Sequence, residues 1–191
     1  MRMIKFIVWA FIFATGCNQI AIPLSTSTDR AYREACIIER YFVMKNPCIA
    51  KNPKIMKEIR SMIAHKRILA KKYGLDLYVE LARPMHESGW FERVNESTKG
   101  GSGEVGWEQI MPSTGKCMGY SVDKLKVLKY NLECGAKFYH DLLVKHHGNH
   151  GKALAEYNGG GHWYKIIPSI MYSNHVIAMR NDLVSYINKY L

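Results

Sequence analysis

Long stretches of the chain carry apolar residues at helical spacing between explicit start and stop signals, a pattern that commits most of the sequence to α-helix. The clearest begins at Asn52-Pro53, a capping residue followed by proline at the first helical position, and stops before Gly74. Between them Ile55, Ile59, Met62, Ile63 and Leu69 form one apolar stripe, while Lys54, Lys57 and Arg60 share another face, read as solvated. A helix is expected over Asp29 to Lys45, ended by Asn46-Pro47. Another should run from about Asp76 to Glu87, where Pro84 removes a backbone hydrogen bond and is expected to kink it. Asn131 to His147 has Leu132, Ala136, Tyr139, Leu142 and Leu143 at suitable spacing; Gly151 to Glu156 and roughly Ile170 to Tyr190 also read as helices. Residues 95–106 hold four glycines and read as a loop. Strand signals are nearly absent, so the fold class is mainly α.

Residues 1–16 are a different material. Arg2 and Lys5 precede a short apolar run from Phe6 to Ala14, and small residues follow, which reads as a signal peptide. Cys17 comes next and resembles the acylated cysteine of a bacterial lipoprotein box, with plain secretion as the alternative. A lipid on Cys17 would tie the protein to a membrane, in the periplasm or at the outer membrane. Five cysteines are an odd number for an exported chain. Reserving Cys17 leaves Cys36, Cys48, Cys117 and Cys134, which are expected in disulfides; neighbours suggest Cys36–Cys48 and Cys117–Cys134, among three possible pairings. The net charge is +11 and stays strongly basic without Arg2 and Lys5, so anionic partners are favoured. Export makes nucleic acid the poorest of these and a cell wall with free carboxylates a better one. His146, His147 and His150 cluster, but Gly148 and Gly151 interrupt any helix that would converge them, so no metal site and no cofactor are expected.

Three short segments follow one another in a fixed order: His86-Glu87-Ser88-Gly89-Trp90, then Gly106-Trp107-Glu108-Gln109-Ile110-Met111-Pro112, then Ala155-Glu156-Tyr157-Asn158-Gly159-Gly160. Each alone recurs by chance. Together, about twenty and fifty residues apart, they resemble the catalytic domain of the soluble lytic transglycosylases, murein-cleaving relatives of goose-type lysozyme. The resemblance runs from about Leu69 to about Met179 and implies a lysozyme-like α-helical domain with a sugar-binding cleft. It divides the chain into the signal at 1–16, a tether and helix at 17–50, and a catalytic domain at 51–191.

Cleaving a glycosidic bond needs a carboxyl that still holds its proton near neutral pH, hence one in apolar surroundings. Glu87 is the expected acid, with Trp90 on the same helical face and Met111 and Tyr157 as further walls. The competing reading is a surface salt bridge with Arg83, four residues earlier. The resemblance implies that Glu87 acts first as acid and then as base on peptidoglycan glycan strands, with the muramic 6-hydroxyl closing a 1,6-anhydro ring. If residues 106–112 are extended, Trp107, Gln109 and Met111 face one way, Gln109 to bond an acetamido group and Trp107 and Met111 to lie against a sugar. Glu104 and Glu108 read as solvated loop residues. The resemblance puts the Tyr157 hydroxyl beside the acid, Asn158 in a structural turn, and Ser88 and Gly106 in supporting roles. His175 stands where the family often has a tyrosine. A water-using lysozyme on the same fold, or a murein-binding component of an envelope-spanning machine without catalysis, remain as alternatives.

Overall fold

The computed structural model describes residues 27–89 and 101–191. The expected signal, Cys17 and Trp90 lie outside them. Among the described residues the structure is helical, with an isolated antiparallel bridge between Val105 and Ile110.

Local chemistry sets the helix limits. Helix α1 spans Ser27–Lys45, and a 3-10 turn at Pro47–Lys51 leads into α2, Pro53–Tyr73. The Asn52 side chain accepts from the Lys54 and Ile55 amides at 3.1 and 3.2 Å, and Gly74 closes α2 in the left-handed conformation at φ +64°. Helix α3, Leu77–Glu87, is capped by Asp76, whose other carboxylate oxygen takes two bonds from Arg180 at 2.7 and 2.9 Å. One aspartate thus starts α3 and ties it to the last helix. α3 continues through Pro84 to Glu87. Two short helices, α4 at Pro112–Cys117 and α5 at Val122–Leu125, precede α6, Leu128–Lys145. Then come α7, His150–Gly159, a 3-10 turn at Gly160–Lys165, and α8, Ile167–Tyr190.

The expected stripes are buried: Ile59, Met62, Ile63 and Leu69 on α2, and Leu132, Ala136, Tyr139 and Leu142 on α6. α3 packs against α2 and α8, and α7 against α6 and α8. The C-terminal ends of α3 and α7 and the early turns of α8 meet there. That is where the motif residues gather.

The disulfides expected among Cys36, Cys48, Cys117 and Cys134 are not formed in any of the three pairings. Nearness in sequence misled here. Cys134 is buried on α6 in a small cluster with Val105, Ile110 and Leu125, whereas Cys117 is exposed at the end of α4. Burial pushes the Cys134 thiol up to about 12.

No helix among the described residues is long and apolar enough to cross a membrane.

Candidate active site

Four charged side chains with no exposed surface lie under the motif residues: Lys66 of α2, Glu80 and Arg83 of α3, and Glu108. Lys66 Nζ is 2.7 Å from Glu80 Oε2 and also pairs with Glu108. Arg83 pairs with Glu80, lies 3.5 Å from Glu108 Oε2, and donates to the Gly135 carbonyl at 3.1 Å. Two cations and two carboxylates balance, so the group survives burial that would be prohibitive for any member alone. Desolvation opposes ionisation of Glu80, but Arg83 and Lys66 win and hold its carboxyl below the usual range.

The network fixes the turn that carries the second motif. The Val105 and Ile110 backbones exchange two hydrogen bonds of 3.0 Å around Gly106–Gln109. Asn131 of α6 clamps the turn, donating to the Val105 carbonyl at 2.8 Å and accepting from the Glu108 amide at 2.8 Å. Gly106 has φ +73°, and a Cβ there would stand 2.5 Å from the Asn131 side chain. Gln109 takes φ +45°, an uncommon conformation for a residue with a side chain. Its amide NH₂ donates to the Gly106 carbonyl at 2.7 Å, which leaves the amide oxygen available.

This turn corrects two expectations. The segment is not extended, so alternation does not apply, and Trp107 is wholly buried in the main core where no substrate can reach it. Glu108 is not a solvated loop residue but a member of the charged network.

Above the network a pocket of about 230 Å³ is lined by Glu87, Glu104, Gln109, Met111, Tyr157 and Asn158, among others. Glu87 is the last residue of α3; the Ser88 amide donates to the Pro84 carbonyl at 3.0 Å, and Gly89 at φ +57° turns the chain away. Ser88 itself is buried. The surface pair of Arg83 with Glu87 does not form, because Arg83 is held inward by Glu80 and Glu108 with its guanidinium against the Tyr139 and Tyr157 rings. Desolvation raises the Glu87 carboxyl to about 7; the Tyr172 hydroxyl and the Arg83 charge pull it down, and the Glu108 and Glu104 charges push it up.

The Tyr157 hydroxyl points to Glu108, with carbonyl and Oε2 both at 3.2 Å, rather than to Glu87. The tyrosine facing the acid is Tyr172 of α8, whose hydroxyl is buried against Glu87 without a fully formed hydrogen bond. Sequence reasoning missed it by three residues. His175, the expected family position, lies one turn further along and stacks near His86. Asn158, the penultimate residue of α7, accepts from Ser169 Oγ at 3.1 Å. Met111, 39% exposed, leaves an apolar side chain at the pocket wall. Two of the clustered histidines have separate partners: His146 contacts Glu156 at 2.6 Å, while His150 contacts Tyr139 at 2.6 Å.

The family described as the transglycosylase SLT domain matches residues 66–165, just over half of the chain. Among solved structures, the chain resembles an inactive Glu-to-Gln mutant of the lytic transglycosylase Slt from Pseudomonas aeruginosa. The TM-score is 0.55 at 21% identity, over 68% of this chain and 24% of that one. The chain therefore spans about a quarter of that protein's length, and the likeness establishes a shared all-α, lysozyme-like fold. The match runs from the buried Lys66 through Glu87, the Gly106–Gln109 turn and Tyr157, and on that extent the chain belongs to the transglycosylase SLT domain family.

Proposed function

We propose that the chain cleaves the β-1,4 bond between N-acetylmuramic acid and N-acetylglucosamine in peptidoglycan, with Glu87 as acid and then base. One observation carries this reading: Glu87 faces a pocket with its carboxyl raised to about 7, while the arginine on its own helix is committed elsewhere. Such a carboxyl keeps much of its proton at neutral pH and can deliver it to the bridging oxygen, an effect worth about 10²- to 10⁴-fold. The C1–O bond then breaks, and the proton leaves with the 4-hydroxyl of N-acetylglucosamine. The muramic N-acetyl carbonyl steadies the cation at C1. The Glu87 carboxylate takes the proton from the muramic 6-hydroxyl as that oxygen closes on C1, giving a 1,6-anhydro end without consuming water. The Gln109 amide oxygen suits an acetamido N–H, and Met111 offers apolar contact to a sugar face.

Glu104 supports the hydrolytic alternative, because it supplies a second carboxylate to the same pocket. Mass analysis of muropeptides released from purified wall separates the readings. Anhydro ends are expected; reducing ends, heavier by one water, would favour a lysozyme; and no soluble fragments would leave a binding protein. Export through residues 1–16 and a lipid on Cys17 would place this pocket beside the wall, where the charge left after Arg2 and Lys5 are removed, +9, suits a polymer bearing carboxylates.

A further inference from the structure

The reaction above uses Glu87 but gives no task to Glu108. That carboxylate is wholly buried, and room for it is built into the fold: a Cβ on Gly135 of α6 would stand 2.7 Å from its side chain. Lys66 pairs with it from α2, and its backbone amide is fixed by Asn131. Two groups that would otherwise stabilise an ionised Glu87 are turned toward it. Arg83 stands one helical turn before Glu87, yet its guanidinium lies between Glu80 and Glu108. Tyr157 lines the pocket, yet its only hydroxyl proton faces Glu108.

We infer that Glu108 is a positioning residue that keeps the proton on Glu87, by holding Arg83 and Tyr157 away from it and by adding a negative charge beneath the pocket. This rests on Glu87 being the acid. Among the described residues the other groups facing Glu87 are Tyr172 from α8, Glu104 from the loop and Arg83 from its own helix; of these Tyr172 and Arg83 favour the ionised form and Glu104 opposes it. Without Glu108, Arg83 and Tyr157 join Tyr172 as partners of the carboxylate, and the proton is lost at lower pH.

Two variants test this, each first checked for a cooperative thermal melt. Glu108→Gln removes the charge at nearly constant volume. Lys66→Met/Glu108→Met removes one charge of each sign, so the remaining Arg83–Glu80 pair stays balanced. The carbon-13 signal of the Glu87 carboxyl is titrated in the whole protein without substrate, and the pH dependence of wall solubilisation is followed in parallel. In both variants the Glu87 midpoint and the alkaline limb of activity should fall together by about one pH unit or more, a loss of about tenfold in the protonated form on the alkaline side. An unchanged midpoint in a folded variant overturns the inference, even if activity drops. If the wild type itself releases no fragments while the midpoint still shifts in the variants, the role of Glu108 stands and Glu87 is removed from catalysis, so the two failures are distinguishable.

Discussion

At Glu87 the requirements of chemistry and of stability oppose each other. The burial that keeps its proton also penalises the fold once the proton leaves. Its carboxyl goes from about 4.5 unfolded to about 7 folded, so the native state binds more protons across that window. Stability from this group is therefore whole below about 4.5 and falls as pH rises through about 7, by roughly 3 kcal/mol. Glu87→Gln should melt no lower than the parent at about pH 8 and show a flatter pH dependence; a clearly lower melting temperature there would contradict this account of burial. Gly106 has the opposite character, since its cost is steric. Gly106→Ala adds a side chain at φ +73° and 2.5 Å from the Asn131 amide that clamps the turn. Denaturant unfolding should show a loss of about 2 kcal/mol or more, and a loss below about 0.5 kcal/mol would mean that the clamp yields easily.

Among the elements, α2, α3 and the Gly106–Gln109 turn are joined through charge rather than through apolar contact alone. Lys66→Met leaves two buried carboxylates sharing one arginine and should cost about 3–5 kcal/mol. Arg60→Ala removes an exposed pair between α2 and Glu39 of α1, with 2.7 Å geometry, and should cost less than about 1 kcal/mol. Equal losses in urea would mean that the buried network is no more than a surface pair in its effect. The contrast also explains what the sequence made legible. Asn52, Gly74 and Asp76 act on their nearest neighbours, so the limits of α2 and α3 follow from local pattern. The fates of Trp107 and Glu108 depend on Lys66, Arg83 and Asn131, between 23 and 42 positions away, and no local pattern reports such partners. Strict alternation assigned Trp107 to the pocket because it presumed a strand where the chain makes a turn. Tyr172 escaped notice for the same reason, since only the packing of α8 on α3 brings it to the acid.

Across the whole molecule, the helical fold needs no covalent staple between the cysteines of its described residues. Thiol counting in denaturant without reductant should find Cys48, Cys117 and Cys134 all reactive. In the native protein the exposed Cys48 and Cys117 should react quickly, and the buried Cys134 should not. Recovery of a disulfide-linked peptide from the native protein would contradict this. The central claim is that one protonated glutamate at the end of α3 cleaves the glycan, and solubilisation of purified wall by wild type and Glu87→Gln, from about pH 5 to about pH 9, tests it most directly. The account predicts wild-type activity that falls as pH rises through about 7, and at least about a hundredfold loss in a folded Glu87→Gln protein at every pH. Undiminished cleavage by that variant would contradict it.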